Sequence, residues 1–163
     1  MNEIEMKTIK QAIINEVEGH EFYKIAAENA PTAEAKSAFL ELAGEELQHI
    51  TWLKELFNAI KNEATDTFKM ANVIEAHSPN LFNWENVDRK TAQLALSVYG
   101  IGIQMERSAV EFYKKASNEA AIPEVKELFR MLAGWEQVHM IQFSDQYETL
   151  KEQWWNHQEF APF

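Results

Sequence analysis

The sequence predicts an all-α protein, a four-helix bundle made of two repeated helical hairpins joined by a long crossover. Three observations predict this fold. Glycine and proline number only 5 and 4 among the 163 residues. Apolar side chains recur along most of the chain at the spacing of an α-helix. The second half of the chain repeats the first without a gap, so one helical hairpin is present twice.

The helical periodicity divides the chain into four long segments. A proline marks each of two short turns, Pro31 after the first helix and Pro123 before the fourth. Short turns between helices predict antiparallel hairpins, here over about residues 4–62 and 88–152. We expect the chain 1–163 to form a single domain. The predicted helices cover about residues 4–30, 33–62, 88–120 and 123–152.

Two segments lie outside the predicted hairpins. The crossover, about residues 63–87, is long enough to run the length of a bundle, and its apolar side chains predict that it packs on the surface. The tail, residues 153–163, is aromatic and is expected to pack on its own bundle or on a neighbouring subunit, which favours a homodimer or a larger homo-oligomer. The crossover residues are Phe68, Met70, Val73, Ile74, Leu81, Phe82 and Trp84, and the tail residues are Trp154, Trp155, Phe160 and Phe163.

Composition excludes several classes of function. The chain has no cysteine, so it offers no disulfide, thiolate ligand, cysteine nucleophile or iron–sulfur cluster. A formal net charge of −11 argues against nucleic acid as a partner, because no basic surface exists to neutralise phosphates. Neither a signal peptide nor an apolar run of membrane-spanning length is seen, so a cytoplasmic protein without a membrane partner is expected.

The internal repeat is the strongest organisational feature. When residues 16–49 are aligned with residues 106–139, a shift of 90 residues, 15 of the 34 positions are identical. Unrelated segments of ordinary composition would share roughly two or three. The identical pairs include Glu16/Glu106, Phe22/Phe112, Tyr23/Tyr113, Phe39/Phe129, Leu42/Leu132, Ala43/Ala133, Gly44/Gly134, Glu46/Glu136 and His49/His139.

The repeat retains a Glu-x-x-His pair on each of its second helices. Glu46 and His49 form the first pair, and Glu136 and His139 form the second. A spacing of three residues places the two side chains on one helix face, about 60° apart. That face is the apolar one in both helices, so a carboxylate and an imidazole lie where the core is expected, twice.

The first helix of each hairpin adds one acid to the same region. Glu16 and Glu106 lie within the apolar stripes of the first and third predicted helices. A tyrosine follows each acid by seven residues, Tyr23 and Tyr113, which puts it on nearly the same face two turns along. These tyrosines are either core aromatics whose hydroxyls bond to a buried glutamate or residues with a redox role.

Four glutamates facing a core must be paired, protonated or bound to cations. Two divalent metal ions would balance four carboxylates, and two neutral imidazoles would complete the donor set. Carboxylates and imidazoles without thiolate suit iron or manganese better than a closed zinc site. The same ligand pattern is established for di-iron and di-manganese helical bundles. The alternative is a bundle whose acids form buried hydrogen bonds with the histidines.

The motifs EVEGHEFY, LAGEELQH, MERSAVEFY and LAGWEQVH resemble those of the rubrerythrin-like branch of the ferritin-like di-iron carboxylate superfamily. The resemblance covers about residues 5–60 and 90–150. It implies a ferritin-like fold, with Glu46 and Glu136 as bridging carboxylates and Glu16 and Glu106 as terminal ones. It places Tyr23 and Tyr113 beside the terminal glutamates. The implied metal ligands are Glu16, Glu46, His49, Glu106, Glu136 and His139.

Two departures from the family pattern bear on activity. The chain lacks the cysteines of a rubredoxin domain, which implies a separate electron donor protein. In rubrerythrins that reduce peroxide, the pattern that this chain resembles includes another glutamate one turn after the ligand of the third helix. That position is Ala109 here, and its counterpart in the first helix is Gly19. The departure argues against efficient peroxidase activity of the rubrerythrin type.

Other polar side chains of the sequence are not expected to bind metal. His20 lies on the same stripe as Glu16, but its repeat partner is Val110, so we expect a core histidine with a satisfied ring. Glu45 precedes Glu46 but lies off the stripe, and its repeat partner is Trp135. The remaining histidines are expected on the solvent side; they are His77 and His157.

The sequence therefore predicts a di-iron oxidoreductase that holds two iron ions, with manganese as an alternative. The substrate is expected to be dioxygen, peroxide or ferrous iron. Three alternatives remain open: a ferritin-like iron storage or handling protein, a di-manganese catalase-like protein and a metal-stabilised binding module.

Overall fold

A computed structural model of the chain describes residues 2–70, 73 and 89–158. Over these residues the chain forms four α-helices and one short 3-10 turn at Thr65–Thr67. The predicted four-helix bundle is confirmed. The helices are α1 (Asn2–Glu28), α2 (Ala33–Lys61), α3 (Arg89–Glu119) and α4 (Pro123–His157).

Local sequence explains where the helices begin and end. Thr32 caps α2, because its hydroxyl oxygen accepts a hydrogen bond of 3.1 Å from the backbone N–H of Ala35. Pro123 occupies the first turn of α4, where its missing N–H costs nothing. Glu63, with a φ of 53°, adopts the left-handed conformation just after α2 and turns the chain out of the helix.

The helices pair within each repeat and are tied together across the repeats. The helices α1 and α2 pack as one hairpin and α3 and α4 as the other. Tyr23 of α1 donates a hydrogen bond to Glu106 of α3, and Tyr113 of α3 donates one to Glu16 of α1. Since residue numbers rise along one helix as they fall along the other, α1 and α3 are antiparallel.

The hydrophobic core consists of two clusters that lie towards opposite ends of the bundle. One cluster is built from the first half of α1 and the last half of α2, together with the last part of α3 and the first part of α4. The other uses the remaining halves of the same helices. The polar side chains singled out from the sequence come from the middle of each helix and therefore lie between the clusters. Representative members are Ile9, Leu53, Leu56, Leu128 and Phe129 in the first, and Phe39, Leu42, Tyr99, Phe143 and Leu150 in the second.

The crossover and the tail are described only in part. Phe68 and Val73 are buried and Met70 packs against them, as predicted for a crossover that covers the surface. The predicted residues Ile74, Leu81, Phe82 and Trp84 lie outside the described residues, as do His77, Phe160 and Phe163 and the side chain of His157. Among the helices that the structure describes, none has an apolar stretch long enough to span a bilayer.

The predicted end of the fourth helix, residue 152, is wrong. The helix continues to His157, because no glycine or proline interrupts the chain before Pro162. The first residues of the predicted tail are therefore helical. Trp154 and Trp155 contact each other edge to face, with ring centroids 5.2 Å apart, and Trp155 is 51 % exposed.

Candidate metal centre

The six predicted ligand side chains meet at one place in the middle of the bundle. Each of them is at most 3 % exposed. The helices supply them in the predicted way: α1 and α3 give one acid each, and α2 and α4 give a carboxylate and an imidazole three residues apart on the same face. The side chains are Glu16, Glu46, His49, Glu106, Glu136 and His139.

The six side chains form two overlapping groups of four. In each group the nearest donor atoms all lie within 4.8 Å of one another. One group consists of Glu16, Glu46, His49 and Glu136, and the other of Glu46, Glu106, Glu136 and His139. Two carboxylates, Glu46 and Glu136, therefore belong to both groups, and the two groups exchange under the repeat.

The shared carboxylates each present one oxygen to each histidine. For Glu46, Oε2 lies 3.6 Å from Nδ1 of His49 and Oε1 lies 3.5 Å from Nδ1 of His139. For Glu136, Oε1 lies 3.3 Å from Nδ1 of His49 and Oε2 lies 3.5 Å from Nδ1 of His139. A carboxylate in such a position can bind one cation through each oxygen.

The unshared acids lie beside one histidine each. Oε2 of Glu16 is 3.0 Å from Nδ1 of His49, and Oε1 of Glu106 is 3.7 Å from Nδ1 of His139. Both histidines thus face the carboxylates through Nδ1. Each group of four consequently offers three carboxylates and one imidazole.

The donor set fits a pair of divalent cations. Within the described part of the chain, three buried atoms that face the cluster have no hydrogen-bond partner: Oε1 of Glu46, Oε1 of Glu136 and Nδ1 of His139. A buried polar atom without a partner costs about 1–3 kcal/mol, and more when charged. Cations would satisfy these atoms and offset the four carboxylate charges, and oxygen and imidazole donors are those that iron and manganese accept.

Burial and mutual repulsion set the charges of the metal-free cluster. Burial, together with the charges of Glu136 and Glu16, raises the pKa of Glu46 well above its ordinary value. Burial and the charge of Glu136 likewise raise the pKa of Glu106. For Glu136, burial works in the same direction, but the imidazoles of His139 and His49, whose Nδ1 atoms lie 3.5 and 3.3 Å from its oxygens, outweigh it and hold its pKa well below the ordinary value.

The two imidazoles respond to the carboxylates around them. Burial alone would lower the pKa of His49, but the charge of Glu16 and the nearby carboxylate of Glu136 raise it well above its usual range. Burial is likewise outweighed at His139, whose pKa is raised by Glu106. In the metal-free cluster the raised pKa values favour bound protons on both histidines and on Glu46 and Glu106.

Each tyrosine donates a hydrogen bond to the unshared acid of the other hairpin. The hydroxyl of Tyr23 donates to Oε1 of Glu106, and that of Tyr113 donates to Oε1 of Glu16. Burial and the charges of Glu16 and Glu136 raise the pKa of Tyr113 well above its ordinary value, so it remains a proton donor. The seven-residue spacing predicted tyrosines near the acids, but it could not show that they cross between hairpins.

Glu45 is part of the site although the sequence argument set it aside. Its Oε2 lies 2.7 Å from Nε2 of His139, on the ring nitrogen that faces away from the cluster. Its repeat counterpart, Trp135, packs edge to face against His49 with ring centroids 5.3 Å apart. Because the counterpart of Glu45 in the repeat is a tryptophan, the repeat did not predict a role for Glu45. Its position next to Glu46 was the signal that could have placed it near the site.

Two other polar side chains are accounted for away from the ligands. The half-buried ring of His20 lies with Nδ1 2.7 Å from the carbonyl oxygen of Ala43. His20 therefore has a hydrogen-bond partner outside both ligand groups. Buried Glu5 accepts a hydrogen bond of 3.1 Å from the N–H of Ala121, in the turn before α4. The first case agrees with the expectation of a satisfied core histidine, and the second was not foreseen.

A cavity of about 220 Å³ opens between α1 and α3 onto the acids. The cavity is lined by Ala109, which stands where peroxide-reducing rubrerythrins would have a further glutamate, and by Gly19, its counterpart in the first hairpin. A Cβ added to Gly19 would come within 3.4 Å of Oε2 of Glu46, so this glycine lets the shared carboxylate lie against α1. The inner wall of the cavity is formed by four acids, Glu16, Glu46, Glu106 and Glu136.

Comparison with known proteins identifies relatives of the chain. The family model described as Rubrerythrin matches residues 7–147. A solved structure of a hypothetical protein from Pyrococcus furiosus is similar to this chain with a TM-score of 0.68 and 26% sequence identity, covering 91% of each chain. No curated protein matches the sequence.

Proposed function

The chain belongs to the rubrerythrin family, and on that premise we propose that it is a di-iron carboxylate oxidoreductase that reacts with dioxygen or peroxide. Glu16, Glu46, His49, Glu106, Glu136 and His139 are the proposed ligands of two iron ions. The observation that carries the proposal is the pair of overlapping four-residue groups that share Glu46 and Glu136. Two cation positions joined by two carboxylates are what a two-electron reaction of a small oxidant needs.

The metals would supply the electrons. Two ferrous ions held by these six side chains would supply two electrons, which together with two protons would suffice to reduce hydrogen peroxide to two water molecules or dioxygen to hydrogen peroxide. With no cysteine in the chain, sustained turnover would draw electrons from a separate donor protein or from further ferrous iron.

The chain's own residues hold the donors in place and limit access. Tyr23 and Tyr113 hold the two unshared acids, Glu106 and Glu16, beside the cluster by hydrogen bonds across the hairpins. The two hydrophobic clusters close the site towards both ends of the bundle. The cavity between α1 and α3 is the opening through which a small oxidant would enter.

Ferrous iron as a substrate is the second candidate, in the manner of an iron-handling protein. Exposed Glu18 lies at the cavity, whose wall carries four further acids, and the formal net charge of −11 favours the approach of a cation. The absence of a further carboxylate at Gly19 and Ala109 leaves room for an incoming ion.

Anaerobic loading with ferrous iron tests the proposal. We expect two iron ions per chain, oxidised on addition of dioxygen or of peroxide in separate trials, with the preferred oxidant identified by the faster rate. Continued oxidation of excess ferrous iron would favour the iron-handling form. Failure of the loaded protein to react with either oxidant would contradict the proposed reaction, and failure to bind iron would contradict the proposed site.

A further inference from the structure

We propose that the two metal positions are unequal, and that Glu45 makes the position beside His139 the one that binds metal first and more tightly. The inference rests on the proposed di-metal function. It concerns a residue outside both ligand groups, which acts on a metal through the ring of His139 and is therefore a positioning residue.

The first step concerns the tautomer that metal binding requires. Both histidines face the carboxylates through Nδ1. A metal on that nitrogen needs its lone pair, so the single N–H of the neutral ring must be on Nε2. The group that receives this N–H decides how readily each ring adopts the binding tautomer.

At His139 the binding tautomer is already supported. Oε2 of Glu45 lies 2.7 Å from Nε2, and an ionised carboxylate can only accept, so the ring donates its N–H there. Nδ1 of the same ring has no hydrogen-bond partner within the described residues. The side chain of Glu45 is only 16% exposed, so water screens its charge weakly. Such a carboxylate behind a ligand histidine fixes the ring and raises its basicity.

At His49 the binding tautomer buries an N–H that nothing in the described chain accepts. Nε2 of His49 has no partner, and the side chain is 0% exposed. Its neighbours are the rings of Trp52 and Trp135, at centroid distances of 5.6 and 5.3 Å. Meanwhile Nδ1 lies 3.0 Å from Oε2 of Glu16, which favours a proton on the nitrogen that a metal would need.

The inequality follows from one substitution within the repeat. Position 45 of the first hairpin is a glutamate, whereas its equivalent in the second hairpin, position 135, is a tryptophan. Because Glu45 reaches across to the histidine of the other hairpin, only the position beside His139 gains the carboxylate. Both groups otherwise offer three carboxylates and one imidazole, so the difference lies behind the ligands.

The test is a titration of the metal-free chain with Mn²⁺, followed by calorimetry, together with crystals grown with one equivalent of Mn²⁺. We expect two binding steps and a single first ion beside Nδ1 of His139 in the anomalous map. Glu45→Ala is expected to weaken the tighter step by about 10- to 100-fold. Glu45→Gln, which keeps an acceptor but loses the charge, is expected to lose less.

Glu41→Ala is the matched control. Glu41 is an exposed acid one turn before Glu45 on α2, so its removal makes the same change in charge without touching His139. We expect this variant to leave both steps and the first position unchanged. Apo-protein melting of each variant shows that the fold is retained.

Different outcomes separate the inference from the proposed function. Two equal steps in the wild type, a first ion beside His49, or an unchanged tighter step in Glu45→Ala would overturn the inference while leaving a di-metal site in place. The same loss of affinity in Glu41→Ala would also overturn it, because bulk charge would then explain the effect. A wild-type chain that binds no Mn²⁺ and no ferrous iron would overturn the proposed function and the inference together.

Discussion

The two hairpins of this chain agree at every proposed ligand position and differ behind the two histidines. Glutamate, glutamate and histidine occupy equivalent places in both, and each tyrosine binds the acid of the other hairpin. Behind the ligands, Glu45 supports His139, whereas Trp135 packs against His49. The residues that would touch a metal, and the tyrosines that bond to two of the acids, share the symmetry of the repeat, whereas the residues behind the histidines do not.

The difference extends to the charges of the two shared acids. Glu46 and Glu136 are related by the repeat, yet the pKa of Glu46 is raised and that of Glu136 is lowered. The cause is local: both histidines lie beside Glu136 and favour its charged form, whereas burial and the charges of Glu136 and Glu16 disfavour the charged form of Glu46. A symmetric set of ligands can therefore hold protons asymmetrically.

The largest expected effects come from removing either shared acid. Glu46→Ala and Glu136→Ala should each abolish binding of at least one metal, because each acid belongs to both ligand groups. Without metal they should differ. Glu46→Ala should leave stability unchanged or raise it by about 1–4 kcal/mol, and Glu136→Ala should lower it by about 3–5 kcal/mol, since it removes the carboxylate that lies beside both histidines and is held in its charged form.

Metal content and thermal melting with and without Mn²⁺ measure both effects. If metal shifts the melting temperature of Glu46→Ala as much as that of the wild type, Glu46 is not a ligand. If the two metal-free variants have equal stability, the assigned charges of the shared acids are wrong.

The stability that bound metal adds should increase as pH rises, because the metal-free cluster loses stability over the same range. Raised pKa values of Glu46 and Glu106 contribute stability below the ordinary value of 4.5, which is lost as pH rises through the raised values. The raised pKa values of His49 and His139 likewise contribute stability below the ordinary value of 6.5, and this stability is lost as pH rises through the raised values. The lowered pKa of Glu136 acts oppositely, adding stability above 4.5 that is lost as pH falls through its lowered value.

Metal-free protein should therefore lose stability from mildly acidic to alkaline pH. Metal competes with protons for the same atoms, so the stability that metal adds should grow over that range. One site at a hundred times its Kd adds about 2.7 kcal/mol. Urea unfolding with chelator and with Mn²⁺ at several pH values measures the gap. A gap that narrows as pH rises would show that protons and metal do not share the site.

The hydrogen bonds of Tyr23 and Tyr113, each of which joins the two hairpins, can be compared for their contributions to the free energy of unfolding. Tyr23→Phe and Tyr113→Phe each leave a buried carboxylate oxygen without its donor, at a cost of about 1–3 kcal/mol. We expect the two costs to be similar. Urea unfolding of both variants measures them, and a cost for only one variant would mean that the hairpins are tied together unequally.

The smallest effect is expected at the cavity, where the two hairpins have Gly19 and Ala109. Gly19→Ala copies the second hairpin into the first, and its added methyl would lie 3.4 Å from Oε2 of Glu46, a contact the carboxylate can relieve by a small shift. Replacement of a helical glycine should stabilise the fold by about 0.4–1 kcal/mol. Thermal melting and Mn²⁺ titration measure this, and a large loss of metal affinity would show that Glu46 needs the glycine.

The sequence was sufficient for the fold and for the convergence of the six side chains. Few helix breakers and a repeat at a fixed shift predicted four helices, and the three-residue spacing of Glu46 and His49 placed both on the buried face. The end of α4 was predicted too early, because apolar periodicity weakens where the helix leaves the core, although the chain contains nothing that stops it.

Contacts between the hairpins could not be predicted. Periodicity gives the face of a helix on which a side chain lies, but not which neighbour that face meets. The bond from Tyr23 to Glu106 and the bond between Glu45 and His139 both join residues of different repeats. Glu45 was set aside for a further reason: a repeat comparison detects what two halves share, and this residue acts where they differ.

The proposed di-iron site can be tested with crystals of the protein grown with excess ferrous iron under anaerobic conditions, using anomalous data at the iron edge. We expect two iron ions per chain, about 3.5–4 Å apart. Glu46 and Glu136 should contact both ions, whereas Glu16 with His49 and Glu106 with His139 should each contact one. One iron ion alone, or iron bound away from these six side chains, would contradict the proposed site.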